Sequence, residues 1–120
     1  MAKILVIDDE PSVRTSIEQI LKSGGHTLVM AENGLQGVNR QRTEPADLVI
    51  IDMFMPYQDG VETMVQFRKL APTLPMIGIS GNPRGDMLTV AEKLGAVQVL
   101  EKPFAVEELL SAVEKGLKRT

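Results

Sequence analysis

Five short apolar runs alternate along the chain with longer segments in which apolar residues recur at helical spacing. Each run is four residues long, consists mostly of aliphatic or β-branched residues and contains almost no polar residue. Such runs are typical of β-strands that are buried on both faces of a sheet. The predicted strands are residues 4–7, 28–31, 48–51, 76–79 and 97–100.

The segments between the runs have the periodicity of amphipathic helices. Pro11 suits the first turn of the first segment, and Gly24-Gly25 end that segment. Gly95 stands at the end of the fourth segment, where a glycine commonly closes a helix. The apolar stripes of the five predicted helices are, in chain order, Val13, Ile17, Ile20 and Leu21; Leu35 and Val38; Val61, Met64 and Val65; Met87, Ala91 and Leu94; and Val106, Leu109, Leu110, Val113 and Leu117.

The alternation of five strands with five helices predicts an α/β fold. Right-handed crossovers would make the sheet parallel and doubly wound, with helices on both faces. The length of 120 residues fits one domain, residues 1–120. In such sheets the ligand site lies beyond the carboxyl ends of the strands, where the strand order reverses.

The balance of acidic and basic residues limits the classes of partner that this chain can bind directly. Sixteen Asp and Glu residues stand against thirteen Lys and Arg residues, which gives a formal charge of -3. Without a run of basic residues, we expect no direct contact with nucleic acid or an anionic membrane. The absence of Cys excludes disulfides and thiolate metal sites, and no apolar stretch has membrane-spanning length. These features favour a cytoplasmic protein.

Acidic residues follow two of the predicted strands. Asp8 and Asp9 come after the first strand, and Asp52 comes after the third. Because the carboxyl ends of parallel strands meet at one edge of a sheet, these carboxylates are expected to crowd together and repel one another. A hard divalent cation relieves that repulsion, and an all-oxygen site suits Mg²⁺.

The fourth and fifth strands add a hydroxyl group and a positive charge to the same edge. Ser80 follows the fourth strand and Lys102 follows the fifth. Together with a cation and backbone N–H groups they would form a socket for a phosphoryl group, in which an Asp can act as the nucleophile. Each residue alone is also consistent with a helix cap, a turn or a solvated side chain. Their joint presence at four strand ends is what indicates a site.

These residues resemble those of the receiver domain of bacterial two-component response regulators, and the resemblance extends from Lys3 to the last helix. An acidic pair closes the first strand, an Asp is followed by Met-Pro and Asp-Gly, a Ser precedes a small residue, and a Lys-Pro-Phe signature follows the fifth strand. The segments are ILVIDDE at 4–10, DMFMPYQDG at 52–60, ISG at 79–81 and KPF at 102–104.

The resemblance implies a flavodoxin-like (βα)5 fold with strand order 2-1-3-4-5. It also implies that Asp52 accepts a phosphoryl group from the phosphohistidine of a sensor histidine kinase or a phosphotransfer protein. Mg²⁺ would be bound by Asp9, by Asp52 and by the backbone carbonyl of Phe54, with Asp8 acting mainly through water.

The resemblance assigns further roles around the phosphoryl group. Lys102 would pair with its oxygens, and Ser80 would move to bond one of them. The backbone N–H groups of Met53 and Gly81 would complete the socket, and the Lys102–Pro103 peptide bond would be cis.

The resemblance also implies how the signal leaves the domain. A face made by the fourth helix, the fifth strand and the fifth helix would contact a downstream protein target, or an effector domain outside this chain. Any turnover would be slow self-phosphotransfer and autodephosphorylation, so we do not expect an enzyme of substrate metabolism.

The chain departs from the family pattern at one switch position. The family usually has Tyr or Phe three residues before the signature Lys, and this chain has Val99 there. A β-branched aliphatic residue cannot make the swing of an aromatic ring, so we expect a smaller switch or one that is propagated differently. Two neighbours are expected to tune the lifetime of the phosphoryl group: Phe54 by its bulk and Asn82 by hydrogen bonding to water.

Three other classes are weighed against this interpretation. A dehalogenase-like phosphatase usually has a second Asp two residues after its nucleophile, where this chain has Phe54. A flavodoxin-like cofactor binder needs a phosphate loop after the first strand, where Asp8 and Asp9 would repel a phosphate. A receiver-fold interaction module with vestigial phosphorylation stays open, because Val99 weakens the expected switch.

Overall fold

The computed structural model describes residues 2–55, 60–81 and 86–118, and this part of the chain contains five β-strands that alternate with five α-helices. The strands are β1 (Lys3–Ile7), β2 (Thr27–Ala31), β3 (Leu48–Asp52), β4 (Met76–Ser80) and β5 (Gln98–Glu101). The helices are α1 (Pro11–Ser23), α2 (Gly34–Thr43), α3 (Gly60–Leu70), α4 (Asp86–Lys93) and α5 (Val106–Leu117). All ten predicted elements are therefore confirmed. At six of the ten strand ends the observed limit differs from the predicted one by one residue, and the other four ends agree. Within the described ranges, no helix is long and apolar enough to cross a membrane.

The five strands form one sheet in the order β2-β1-β3-β4-β5, and each neighbouring pair is parallel. This order confirms the flavodoxin-like arrangement implied by the resemblance. From β1 the chain first moves to β2 on one side and later returns to β3 on the other side. The strand order therefore reverses between β1 and β3, which is where α/β sheets of this type bind ligands.

Two apolar layers cover the sheet, one on each face. Alternate residues of a strand point to opposite faces, so Ile4 and Val6 belong to one layer while Leu5 and Ile7 belong to the other. The first layer packs under α1 and α5, and the second packs under α2, α3 and α4. The central strands β3 and β4 are buried along their whole length, as their unbroken apolar sequences predict.

The two edge strands are less buried than predicted. In β5 the residues from Gln98 to Leu100 are half-buried and Glu101 is exposed, and β2 alternates between buried and more exposed positions. The expectation of burial on both faces was wrong for these two strands. A strand with a neighbour on one side only is covered less fully by the flanking helices, and composition alone does not distinguish it from a central strand.

The apolar stripe of α3 lies slightly away from its predicted position. Its buried residues are Gly60, Thr63, Met64 and Phe67, whereas Val65 is exposed. Leu35 of α2 and Val106 of α5, which were also assigned to stripes, are exposed as well. A prediction that counts only the most apolar residues misses buried Gly and Thr. In α3 these residues belong to the buried face.

Arg68 links two loops at the amino edge of the sheet. Its guanidinium donates hydrogen bonds to the carbonyl of Pro72, at 2.6 Å, and to that of Gly95, at 3.1 Å. Gly95 has φ of 102°, a value that favours glycine, and a Cβ there would lie 2.8 Å from Arg68 Nη2. The predicted closure of α4 by Gly95 is therefore accompanied by a contact to α3.

Gly60 allows the start of α3 to approach the end of β3 closely. A Cβ added at Gly60 would overlap with the carbonyl oxygen of Asp52 and with the Cα atom of Met53. Both are backbone atoms, which cannot move aside as a flexible side chain can. This close approach explains why the Asp-Gly pair of the sequence has a glycine at position 60, since any side chain there would overlap with the backbone.

We expect Gly60→Ala to lower the free energy of unfolding by roughly 1–3 kcal/mol, because the new methyl group overpacks against backbone. The sign of this change shows whether overpacking outweighs helix propensity. Ala has the higher helix propensity and, without overpacking, would stabilise α3 by up to about 1 kcal/mol. Urea denaturation of both proteins measures the change. Gly81→Ala is the matched control, because a Cβ there meets Lys102 only at an ordinary distance of 3.7 Å. A stabilised Gly60→Ala protein would contradict the close approach.

Candidate functional site

The acidic residues predicted to meet at one edge of the sheet do so. Asp52 is the last residue of β3, Asp8 directly follows β1, and both are almost fully buried, with exposed fractions of 1% and 0%. The carboxylates of Asp8, Asp9, Glu10 and Asp52 offer ligand atoms that all lie within 4.8 Å of one another. The parallel sheet therefore brings a compact acidic cluster together at its carboxyl edge.

The loop after β1 is held in place through Asp8. Its backbone N–H donates to the carbonyl of Ala31 at 3.1 Å, which continues the pairing of β1 with β2. Its Oδ1 accepts the N–H of Glu10 at 2.9 Å, and its carbonyl accepts a hydrogen bond from Arg14 Nη1 at 2.6 Å. These contacts fix the backbone from which Asp8, Asp9 and Glu10 project.

The ammonium group of Lys102 lies among three of these carboxylates. Its Nζ is 2.9 Å from Asp8 Oδ2, 3.3 Å from Asp52 Oδ2 and 3.3 Å from Glu10 Oε1. The N–H of Lys102 donates to the carbonyl of Ser80 at 2.8 Å, which holds the start of the β5–α5 loop beside β4. The chain therefore places one positive charge against two of the predicted acidic residues, Asp8 and Asp52, and against Glu10.

Glu10 is the residue of this cluster to which the sequence assigned no role. Its side chain is 57% exposed, and its carboxylate reaches Lys102 from the loop before α1. Its position directly after Asp8 and Asp9 is the only signal in the sequence. Whether a side chain in that position turns inward depends on the loop conformation.

The electrostatics of the cluster are dominated by burial. Desolvation raises the pKa of Asp52 from its ordinary 3.8 to about 7, although the Phe54 N–H lowers it, the negative charge of Asp8 raises it further and Lys102 lowers it. Burial lowers the pKa of Lys102, but the close Asp8 carboxylate and the charge of Asp52 outweigh burial and raise the pKa above its ordinary value. Lys102 is therefore charged, and Asp52 is poised to release its proton near neutral pH.

The donor set fits Mg²⁺. The cluster has four carboxylates, and within the described part of the chain Lys102 is the one cation that pairs with them, which leaves an excess of negative charge once they are ionised. Asp8 Oδ2 is buried, and among the described residues the Lys102 ammonium at 2.9 Å is the one group that contacts it. A second cation would satisfy that oxygen, and oxygen ligands of this kind are those that Mg²⁺ prefers.

Two backbone N–H groups near Asp52 differ in what they contact. The Met53 N–H, which the resemblance places in the phosphoryl socket, donates to the carbonyl of Ile79 at 2.7 Å in this structure. The Phe54 N–H donates to Asp52 Oδ1 at 3.0 Å. The amide that reaches the Asp52 carboxylate is therefore that of Phe54, because the Met53 amide continues the pairing of β3 with β4.

The remaining predicted site residues lie around this centre. Ser80 is buried at the carboxyl end of β4, and Gly81 follows it in contact range of the Lys102 side chain. Phe54 stands 63% exposed beside Asp52, as a bulky shield would, although that role stays a prediction. Asn82 lies outside the described residues, and so do residues 56–59 of the acceptor segment.

The two remaining positions are on β5 and directly after it. Val99 is half-buried and pairs with Gly78 of β4, so it lies on the strand that leads to Lys102. The Lys102–Pro103 peptide bond is cis, as the resemblance implies.

Without metal, Asp52 makes stability depend on pH. Its folded pKa of about 7 exceeds the ordinary 3.8, so the folded protein keeps a proton that the unfolded chain has released between those values. This contribution is fully present below about pH 4 and is lost as the pH rises to about 7. In EDTA we expect Asp52→Asn to gain roughly 1–3 kcal/mol over the wild type across that interval.

Denaturant titrations of both proteins at several pH values measure this difference. Excess Mg²⁺ is the control, because a cation that binds the ionised carboxylates stabilises the wild type more than the variant. A difference between variant and wild type that is the same at pH 5 and pH 8 would show that burial does not control the ionisation of Asp52.

Known proteins resemble this chain over nearly its whole length. A family model described as the response regulator receiver domain matches residues 4–114. The chemotaxis protein CheY of Listeria monocytogenes is 35% identical over 119 residues, which cover 98% of this chain and 100% of that protein. The response regulator MprA of Mycobacterium ulcerans is 32% identical over 118 residues, and the chain spans about half of its length, 51%.

A solved structure confirms the fold. The receiver domain of NtrX from Brucella abortus superposes with a TM-score of 0.93 at 28% identity, and the match covers 98% of this chain and 99% of that one. The phosphatase and cofactor-binder interpretations are not supported by these matches. The chain belongs to the family of response regulator receiver domains, the signalling modules of two-component systems.

Proposed function

We propose that Asp52 accepts a phosphoryl group, with Mg²⁺, from the phosphohistidine of a sensor histidine kinase or phosphotransfer protein, and that the phosphorylated domain presents a changed surface to a protein target. Phosphorylation of an Asp is general in this family, and receiver domains bind Mg²⁺ at an acidic pocket. The observation that carries the proposal is the buried Asp52 carboxylate with Lys102 Nζ 3.3 Å from its Oδ2 and three further carboxylates around it.

Asp52 acts as the nucleophile in this proposal. One of its carboxylate oxygens forms a bond to phosphorus while the P–N bond of the donor breaks and leaves its electron pair on the imidazole nitrogen. Because the pKa of Asp52 is about 7 without metal, part of the population carries a proton at neutral pH and is not nucleophilic. A cation held beside Asp52 favours the ionised carboxylate that attacks.

Mg²⁺ would be held by the carboxylates of Asp9 and Asp52 and the backbone carbonyl of Phe54, with Asp8 acting through water. When bound, it would neutralise carboxylate charge and stabilise the charge on the transferring phosphoryl group. Lys102 is already within contact distance of Asp52 Oδ2, so its ammonium needs only a short movement to pair with a phosphoryl oxygen.

The donor is expected to approach over α1. A groove of about 310 Å³ lies there, lined by Ser12, Val13, Ser16, Lys102, Pro103 and Phe104. Lys102, whose ammonium group contacts Asp52, is one of its lining residues, so a protein seated in the groove would lie next to the Asp52 site. The groove is mostly apolar, which suits a protein surface rather than a free anion.

The expected signal path runs from Asp52 through the neighbouring strands. Ser80 ends β4 beside the end of β3, Gly81 follows it, and Val99 pairs with Gly78 one strand further out. Val99 has a compact side chain at the position where the family usually has an aromatic ring that rotates during the switch. We infer that the response of β5 and of the adjoining helices is small.

Incubation with acetyl phosphate and MgCl₂ is expected to add one phosphoryl group to the intact mass. The gain should disappear in EDTA and in Asp52→Asn, because the first removes the cation and the second removes the nucleophile. Asp47→Asn is the matched control, since Asp47 is an exposed carboxylate outside the cluster. A folded, Mg²⁺-binding protein that gains no mass would favour the interaction module with vestigial phosphorylation.

Beryllofluoride, a phosphoryl mimic, tests the expected small switch. We expect amide NMR shifts to be large at Asp52 and Ser80 and small at Val99 and along α5, because no ring moves at position 99. Amide spectra recorded with and without beryllofluoride, both in MgCl₂, measure this. A large rearrangement around Val99 would refute the expectation.

A further inference from the structure

A groove lies between α2 and α3, away from the Asp52 site. It has a volume of about 460 Å³ and is lined by Leu35, Val38, Arg42, Gln66, Lys69 and Leu70. Val38 is buried and forms part of its floor, Leu70 is half-buried, and Leu35 is 64% exposed. Two helices packed side by side thus leave a trough with apolar side chains along it.

The charge around this groove is opposite in sign to that of the whole chain. Arg40 and Arg42 are the charged residues of α2, and α3 carries Glu62, Arg68 and Lys69. The two helices therefore have a formal charge of +3 in a chain of net charge -3, which leaves -6 for the remaining residues. On these two helices basic residues outnumber acidic ones by four to one.

Two of these cations are available to a partner. Arg68 donates to the carbonyls of Pro72 and Gly95 and is engaged within the fold. Arg42 and Lys69 are exposed, line the groove and form no ion pair with any described residue. None of the described residues that line the groove is acidic.

We propose that the α2–α3 groove binds an acidic amphipathic helix of a partner protein. Apolar side chains on one face of that helix would contact Leu35, Val38 and Leu70, and carboxylates beside them would pair with Arg42 and Lys69. Helix-in-groove recognition uses this combination, in which spaced apolar anchors give affinity and flanking charges give orientation.

Two other occupants match the groove less well. Two cations at the rim are too few for a nucleic-acid backbone, whose binding scales with the number of neutralised phosphates. A concave trough suits a helix better than the surface of a membrane. The groove also shares no residue with the Asp52 cluster, so its occupancy is separate from phosphoryl transfer and goes beyond the proposed function.

Two designed helical peptides test the proposal on the ¹⁵N-labelled protein. Both carry the same stripe of leucines, and one has Glu where the other has Lys beside the stripe. Calorimetry measures affinity and amide shifts locate the site. We expect the Glu peptide to shift amides of α2 and α3, and the Lys peptide to bind at least about tenfold more weakly.

Variants with the same change of net charge provide the control. Arg42→Glu with Lys69→Glu should weaken the Glu peptide about tenfold or more, whereas Lys22→Glu with Lys118→Glu should change its affinity by no more than about twofold. Leu35→Ser should also weaken binding, and its exposed position leaves the fold intact. Amide spectra of each variant verify folding.

Several outcomes would overturn the proposal. They are no shift on α2 and α3 at millimolar Glu peptide, equal binding of the Lys peptide, or equal loss in both double variants. Binding to phosphatidylserine vesicles without binding to the Glu peptide would make the face a membrane contact. Self-association that Leu35→Ser abolishes, in sedimentation experiments, would make it an interface between copies of this chain.

Discussion

The contact between the Lys102 ammonium and the carboxylates of Asp8, Glu10 and Asp52 is the interaction on which the site depends. These four residues come from the ends of β1, β3 and β5, so the parallel sheet must form before they can meet. The stability of the fold depends in turn on this contact. Removing the ammonium would leave buried carboxylates without a counter-charge, which is among the costlier defects in a folded protein.

The cluster is held together with more negative than positive charge, and that imbalance explains its chemistry. Burial raises the pKa of Asp52 to about 7, and a cation held beside the carboxylate would favour its ionised form. The fold thus tolerates a local electrostatic cost in the resting protein. Groups that are unfavourable at rest and become favourable once a ligand arrives are what functional sites commonly contain.

The sequence was sufficient to predict the helices and strands and most residues of the acidic cluster. Four-residue apolar runs locate the strands, and a parallel sheet aligns the carboxyl ends of those strands. The sequence was insufficient where the outcome depends on one backbone or side-chain conformation. The inward turn of Glu10 and the hydrogen bond from the Phe54 amide to Asp52 Oδ1 are of this kind. The lower burial of β5 depends on its edge position, which only the three-dimensional arrangement reveals.

The Arg68 bridge determines where the chain can be lengthened. It closes the connections before β4 and before β5 by binding the carbonyls of Pro72 and Gly95. An inserted tag or sensor module in either connection would displace a carbonyl from the guanidinium and break a hydrogen bond that links α3 to that connection. The turn at Gly24-Gly25, whose residues are exposed and whose hydrogen bonds are local, offers a more permissive insertion point for protein engineering.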